Sequence, residues 1–180
     1  MRCGRCAVPA ARLWPGATDE TAVRVNPSLR LAHWLALGVP ALLLAGAYLS
    51  QYGFGLYPCE MCWYQRYPHF AAVVLALVAF VARPKPAWIA LGALAILVSG
   101  LIGAFHAGVE YGWWQGFTTC SSPIGEAGGD ALANIMNAPL VRCDVAPWTL
   151  AGISLAGFNA LISVISAMAV FVLLARSKRV

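Results

Sequence analysis

Charged residues are scarce in this sequence. Asp, Glu, Lys and Arg make up 11% of its 180 residues, whereas a soluble globular domain usually carries about 25%. Hydrophobic residues make up 61%, so the polar surface is too small to solvate a globule. This shortage excludes an ordinary soluble domain and indicates a protein whose solvent is the lipid bilayer.

A basic patch and a signal peptide are also missing from this sequence. The formal net charge is +5, but the Lys and Arg residues flank apolar runs and form no basic patch, so no nucleic-acid partner is predicted. The residues after Met1 lack the short apolar core and cleavage site of a signal peptide. Residues 1–30, rich in Arg and interrupted by Pro and Gly, are therefore expected to form an irregular cytosolic extension.

Four long apolar segments are present instead, and together they define a predicted membrane domain over 31–175, followed by a short tail at 176–180. Each is close to the roughly 20 residues that a helix needs to cross the hydrocarbon core. At the start of the second segment, the charge of Arg66 is expected to extend to the membrane surface. The predicted fold class is an all-α membrane protein, a four-helix bundle. The spans are approximately 31–51, 63–82, 87–105 and 150–175.

The basic residues predict the orientation of these spans. Ten of the twelve Lys and Arg residues lie before the first span, in the turn at 83–86 or after the fourth span. Cytoplasmic segments carry such an excess of Lys and Arg. Both termini are therefore expected in the cytosol, and the loops at about 52–62 and 106–149 are expected on the outer side.

This topology divides the six cysteines into three pairs. Two pairs lie on the oxidising side, on separate loops, as is typical of disulfides or of disulfide chemistry. The third lies on the reducing side, where two plain thiols are expected. The pairs are Cys59 and Cys62 on the first outer loop, Cys120 and Cys143 on the second, and Cys3 and Cys6 in the N-terminal extension.

Cys59 and Cys62 form a C-x-x-C motif, which can be a redox pair, half of a zinc site or a structural disulfide. Cys62 falls in or beside the first turn of the second span, where free N–H groups and the helix dipole stabilise a thiolate. Arg66 lies one turn further along the same face. A disulfide between Cys59 and Cys62 would close a loop with only two residues between the cysteines, which is too small to stabilise the fold much. Redox chemistry is therefore favoured over an inert disulfide.

The second outer pair is less specific. Cys120 and Cys143 lie 23 positions apart, and a structural disulfide closing such a loop would contribute about 3 kcal/mol or more. Exchange with the first pair is the alternative, and the residues alone leave both open. The spacing disfavours a zinc ribbon, which uses two close knuckles, so no metal is predicted. His106, where the third span ends, and Arg66 could approach each other beside the C-x-x-C, as a site for a polar ring that takes up electrons and protons.

Several stretches resemble the DsbB family of bacterial disulfide-forming membrane proteins. The resemblance covers about 26–175. It implies a four-helix protein of the bacterial inner membrane that reoxidises DsbA, a periplasmic thioredoxin-fold partner, and passes two electrons to a membrane quinone, ubiquinone or menaquinone. The matching stretches are CEMCWYQR at 59–66, against a C-x-x-C-x-Y-x-R motif, WWQG at 113–116, CSS at 120–122, APWTL at 146–150 and GFN at 157–159.

The resemblance also implies residue roles. Cys120 would form the mixed disulfide with DsbA, Cys143 would pass the electrons to Cys59, and Cys62 would reduce the quinone. Two further residues are implied at the quinone. Arg66 matches the family's quinone-site arginine, and His106 lies about where the family has a second polar residue near the ring. The N-terminal extension departs from the compact family pattern.

Two other functions remain open. A vitamin K epoxide reductase-like enzyme would also pass electrons from thiols to a quinone, but its C-x-x-C lies late in the bundle, whereas here the motif precedes the second span. A membrane scaffold with disulfide-stapled outer loops would need no exchange, and it would leave Arg66 without a role. The DsbB-like function is ranked above both.

Overall fold

The computed structural model describes residues 26–116 and 141–178. Its described helices are long and apolar enough to cross a membrane, which confirms the predicted fold class of a multi-pass helical membrane protein. A two-stranded antiparallel hairpin precedes the last helix and pairs Thr149 with Ser154. The elements in chain order are α1 Pro27–Gly53, α2 Glu60–Val81, α3 Lys85–Glu110, β1 Thr149–Leu150, β2 Ile153–Ser154 and α4 Leu155–Ser177.

Side-chain caps fix where three of the helices begin. The Asn26 side chain accepts a hydrogen bond from the Ser28 N–H at the start of α1, and Ser154 accepts one from the Gly157 N–H at the start of α4. At the start of α2 the cap is a cysteine, Cys59. These side chains satisfy N–H groups that the first turn of a helix leaves without partners.

Small residues fill the helix interfaces. Ala36, Ala76 and Ala93 are fully buried, and they let the helix backbones approach closely, as is typical of helices packed in a membrane. Large apolar side chains face outward instead, with Val81 86% and Leu42 74% exposed. Such an outer surface suits lipid and would be costly in water.

The four described helices run alternately up and down, so the bundle has two ends. At one end, the Asn26 side chain donates to the carbonyl of Ser177 at 3.0 Å, which joins the start of α1 to the end of α4. At the other end, the Tyr111 hydroxyl donates to the carbonyl of Gly152 at 2.8 Å. This second end, called the cysteine end, also holds Cys59.

The observed helices differ from the predicted spans where it matters for the site. Helix α3 continues to Glu110 rather than ending near residue 105, so His106 lies inside the helix and not at its exit. Helix α4 begins at Leu155 rather than at 150, because the hairpin occupies the preceding residues. Cys120, together with Cys3 and Cys6, lies outside the described residues.

Candidate active site

The C-x-x-C motif forms the entry to helix α2. Cys59 is the N-cap residue, and its sulfur accepts a hydrogen bond from the Cys62 N–H at 3.3 Å. Cys62 is the third residue of the helix, within the first turn in or beside which the sequence predicts it. The two sulfur atoms lie 3.0 Å apart, within hydrogen-bond distance. A thiolate at Cys62 is therefore stabilised by a neighbouring thiol and by the positive end of the helix dipole.

Residues from three parts of the chain converge on the Cys59 sulfur. His106 of α3 brings its Nε2 atom to 3.5 Å from that sulfur. The sulfur of Cys143, which is also buried, lies within 4.8 Å of both atoms. These three donor atoms are of the kinds that bind soft metals, so the structure clusters metal-ligand types that the sequence spacing did not predict. The same cluster places two thiols within reach of exchange.

The pKa of the Cys59 thiol is raised from 9.0 to about 12. The largest cause is the hydrogen bond with Cys62, followed by burial, and the contact with His106 acts in the opposite direction. Cys59 therefore remains a thiol at neutral pH and can donate its proton toward the Cys62 sulfur. The pair is chemically asymmetric even though both residues are cysteines.

Two cavities meet at this pair. The helix cavity, about 260 Å³ in volume, lies between the helices and is lined mainly by apolar side chains of α1 and α4. The loop cavity, about 290 Å³, lies at the cysteine end beside the segment that carries Arg142. Cys62, His106 and Glu110 line both cavities. A group in either cavity is therefore next to the reactive thiol.

Arg66 forms part of the wall of the helix cavity. Its side chain is buried, with 6% exposure, so the expectation that its charge extends to the membrane surface is wrong. The guanidinium donates to Gln51 Oε1 at 2.7 Å and to the Ala47 carbonyl at 3.3 Å, and it lies 4.9 Å from the ring centres of Tyr48 and Trp63. These contacts hold the charge in place by hydrogen bonds and cation–π attraction.

A buried network of polar side chains links α2, α3 and α4. Asn159 Nδ2 donates to Gln65 Oε1 at 2.9 Å and to the Ser99 carbonyl at 3.3 Å, and Gln65 Nε2 contacts His106 Nδ1 at 2.8 Å. Asn159 Oδ1 accepts from His69 Nε2 at 2.9 Å. His69 Nδ1 has no hydrogen-bond partner within the described ranges, and His69 lines the helix cavity.

Glu110 is the charged residue that the sequence interpretation missed. By its position in the sequence it falls in the predicted outer loop at about 106–149, but it is the last residue of α3 and its side chain is 2% exposed. Its Oε1 atom lies 3.8 Å from His106 Nε2. Its Oε2 atom has no hydrogen-bond partner among residues 26–116 and 141–178. An ionisable group buried in a membrane span indicates function by default, but only the observed length of α3 places Glu110 in one.

The structure thus brings together five of the six residues singled out in the sequence. Cys59, Cys62, His106 and Cys143 cluster directly, and Arg66 shares the helix cavity with Cys62 and His106. Gln65, His69 and Asn159 complete the site and were not predicted. Their signal in the sequence is a polar side chain within an apolar span.

Comparisons with known proteins are consistent with this geometry. Residues 29–173 match the family model described as disulfide bond formation protein DsbB. The chain is 32% identical over 150 residues to the disulfide bond formation protein B of Paracidovorax citrulli, covering 77% of this chain and 82% of that protein. It is 33% identical over 162 residues to the protein of the same name from a Polaromonas species, with coverage of 83% and 92%. No solved structure matches the chain.

Proposed function

Since this chain belongs to the DsbB family of disulfide bond formation proteins, we propose that it is a protein-dithiol:quinone oxidoreductase of the bacterial inner membrane. It would reoxidise a periplasmic thioredoxin-fold protein of the DsbA type and pass the two electrons to a membrane quinone, ubiquinone or menaquinone. Its cysteine end would face the periplasm, as the distribution of Lys and Arg predicts.

The position of the Cys59 sulfur is the observation that carries this proposal. It lies 3.0 Å from the Cys62 sulfur and within 4.8 Å of the Cys143 sulfur. Thiol–disulfide exchange requires an attacking sulfur, a central sulfur and a leaving sulfur, passing through a mixed disulfide. Cys59 has a neighbour for each of the outer two roles, Cys143 to attack and Cys62 to leave.

The electrons would reach this point in two exchanges. A thiolate of the reduced partner attacks Cys120, which breaks the Cys120–Cys143 disulfide and releases the Cys143 thiolate. The Cys143 sulfur then bonds to Cys59, which breaks the Cys59–Cys62 disulfide and releases Cys62 as a thiolate. The first turn of α2 stabilises this leaving group through its dipole. The released thiolate lines the helix cavity. The second thiol of the partner then displaces Cys120, which re-forms its bond to Cys143 and releases Cys59 as a thiol, so the partner leaves oxidised and the Cys59–Cys62 pair is left reduced.

The residues of the helix cavity fit a quinone. An apolar cavity with a few convergent polar groups is the usual form of a small-molecule site. Arg66 offers N–H donors to a ring oxygen, and the unpaired His69 Nδ1 offers an acceptor to a hydroxyl group. A bound quinone would supply an acceptor for two electrons and two protons. Cys62 and Arg66 line the same cavity, so the thiolate would meet the ring beside a fixed positive charge.

Purified protein, a reduced DsbA-type partner and a short-chain quinone test the proposal. Cys62→Ser is expected to abolish quinone reduction, because no thiolate then faces the helix cavity. Cys120→Ser is expected to prevent the mixed disulfide with the partner. Both are measured by quinone absorbance and by non-reducing electrophoresis.

A matched control uses the remaining two cysteines. The double variant Cys3→Ser/Cys6→Ser is expected to keep full turnover, since neither thiol takes part in the exchange. Full turnover of Cys62→Ser or Cys120→Ser would overturn the assigned roles. Disulfides that never exchange with a single-cysteine variant of the partner would instead support the stapled scaffold.

A further inference from the structure

Oxidation of the Cys59–Cys62 pair releases a proton as well as electrons. When the Cys59 thiol and the Cys62 thiolate form one S–S bond, two electrons pass to the acceptor and the Cys59 proton must leave. Cys59 is only 5% exposed, so its thiol is shielded from bulk solvent. The proton therefore needs an acceptor side chain with a vacant lone pair close to the thiols, within reach directly or through one water.

His106 Nε2 lies 3.5 Å from the Cys59 sulfur, but the polar network occupies the lone pair of the His106 ring. Asn159 is oriented by its Nδ2 contact with the Ser99 carbonyl, which can only accept, so Asn159 Nδ2 donates to Gln65 Oε1. Gln65 Nε2 in turn donates both to the Met61 carbonyl at 3.2 Å and to His106 Nδ1.

This orientation decides the tautomer of His106. Because Nδ1 accepts from Gln65, the proton of the neutral ring sits on Nε2. Nε2 is the atom that faces both the Cys59 sulfur at 3.5 Å and Glu110 Oε1 at 3.8 Å. The ring is therefore placed as a hydrogen-bond donor to these neighbours, and it has no lone pair with which to take up the thiol proton.

Glu110 has the lone pair that His106 lacks. Oε2 has no hydrogen-bond partner in the part of the chain that the structure describes, the side chain is 2% exposed, and Glu110 lines both cavities together with Cys62. Besides Cys62, His106 and Glu110, one more titratable side chain lines both cavities, Tyr57. Its phenol oxygen already carries a proton, so it is not the acceptor. A carboxylate in this position can receive a proton at the thiols and present it to the helix cavity.

We propose that Glu110 is the proton acceptor of the Cys59–Cys62 pair and carries that proton into the helix cavity. The inference rests on the proposed function for the identity of the electron acceptor, a quinone. In the step, the S–S bond forms, two electrons go to the acceptor, and the Cys59 proton goes to Glu110 Oε2 through one water of the loop cavity, which both residues line. Glu110 then gives the proton to the reduced acceptor and can be reprotonated from the loop cavity for the second one. Gln65 and Asn159 are positioning residues that hold His106 as the donor beside Glu110.

Other ionisable groups surround this step and shape its pH dependence. Helix α1 contributes none to the two cavities among its described residues. The other ionisable groups line one or both cavities with Glu110 or contact its neighbour His106. Helix α2 and its cap contribute four of them, the α1–α2 loop one, α3 one and the segment before β1 two. They are Cys59, Cys62, Arg66, His69, Tyr57, His106, Arg142 and Cys143.

The test follows formation of the Cys59–Cys62 disulfide in reduced protein whose other four cysteines are replaced by serine. Two oxidants are compared, a short-chain ubiquinone and diamide, a small two-electron thiol oxidant that needs no quinone site. Glu110→Gln keeps the size of the side chain and removes its ability to bind a proton. A lost general base typically costs 10²–10⁴-fold, so a rate about 100-fold lower is expected with either oxidant.

A second variant separates proton transfer from structure. Glu110→Ala leaves a space open to the loop cavity, and added formate is expected to restore much of the rate while leaving Glu110→Gln unaffected. The matched control is Glu60→Gln, which removes a carboxylate of the same end whose oxygen accepts from the Tyr64 hydroxyl at 2.7 Å. This control is expected to keep the wild-type rate and pH profile.

Two results would overturn the inference. One is a Glu110→Gln rate within about twofold of wild type across the pH range, given that a general base is worth far more. The other is a slow Glu110→Ala variant that formate does not restore. A wild-type protein that reacts with diamide but not with the quinone would instead contradict the proposed function, and the diamide reaction would still test Glu110.

Discussion

Cys59 and Cys62 differ in what surrounds their sulfur atoms. Cys59 is 5% exposed, and its sulfur is enclosed by Cys62, His106 and Cys143. Cys62 caps no helix and lines two cavities. At the residue scale, one cysteine is therefore suited to exchange with other protein thiols, and the other is suited to meet a small molecule.

This difference predicts how the reduced pair reacts with iodoacetamide in the absence of quinone. Alkylation requires the thiolate, and the pKa of Cys59 is raised to about 12 from an ordinary 9.0. A raised pKa keeps the thiol protonated, so at pH 9 only about one Cys59 in 1,000 would be a thiolate. Cys62 is expected to be modified first, and the rate at Cys59 should still be rising above pH 10, as peptide mass spectrometry would show.

Cys62→Ser provides the control for the pH profile of Cys59. The hydrogen bond to Cys62 is the largest cause of the raised pKa, so its weakening should move the alkylation profile of Cys59 to lower pH. A profile of Cys59 centred near pH 9 in the wild-type protein would contradict the prediction.

At the scale of the elements, the site depends on how closely α3 approaches α2 and α4. A Cβ atom at Gly103 would lie 3.0 Å from the Ala156 carbonyl oxygen, 3.0 Å from Asn159 Nδ2 and 3.1 Å from Gln65 Oε1. These distances are shorter than ordinary contacts, and two of the atoms belong to the polar network. The missing side chain of Gly103 thus allows the hydrogen bond between Gln65 and Asn159 to form.

Gly103→Ala is therefore expected to separate α3 from α4 and to lower the free energy of unfolding by about 1–3 kcal/mol, the usual cost of overpacking. The control is Gly38→Ala in α1, where an added Cβ meets nothing within 4 Å. That change should be neutral or stabilise the helix by about 0.5–1 kcal/mol through propensity. Thermal unfolding in detergent measures both, and equal destabilisation by the two changes would refute the prediction.

At the scale of the whole molecule, the two ends of the bundle differ in the groups that they carry. The cysteine end holds the thiols, both cavities and the buried Glu110, whereas the opposite end holds the short α2–α3 turn and the last residues of α4. Most of the described basic residues lie near that opposite end, and the positive-inside rule predicts that it faces the cytosol. These residues are Arg30, Arg83, Lys85, Arg176 and Lys178.

Single cysteines introduced at the two ends test this orientation in intact cells. Phe54 follows α1 at the cysteine end and is 73% exposed, and Lys178 caps the end of α4. In a cysteine-free background, Phe54→Cys should react with a membrane-impermeant maleimide applied outside the inner membrane, because its loop is predicted to be periplasmic. Lys178→Cys should react only after that membrane is permeabilised. The reverse pattern would invert the predicted topology.

The sequence by itself determined the number of spans, the start of α2 at the C-x-x-C and the family. Each of these depends on residues that are close together in the chain: an apolar run of membrane length, a helix start beside Cys62, and short motifs. The thiolate character of Cys62 followed from the same local information, since the free N–H groups and the dipole of a helix act within its first turn. The separate role of Cys59 was implied only by the family resemblance.

Only the tertiary structure decided which distant residues meet at the thiols. Gln65 and Asn159 are 94 positions apart and share a hydrogen bond, and Glu110 reaches the site because α3 extends past the predicted span. Which face of each helix turns inward depends on the packing of small residues such as Gly103, and an apolar span carries little amphipathic pattern to predict it. The inward face of α3 is the one that carries His106 and Glu110 toward the C-x-x-C motif.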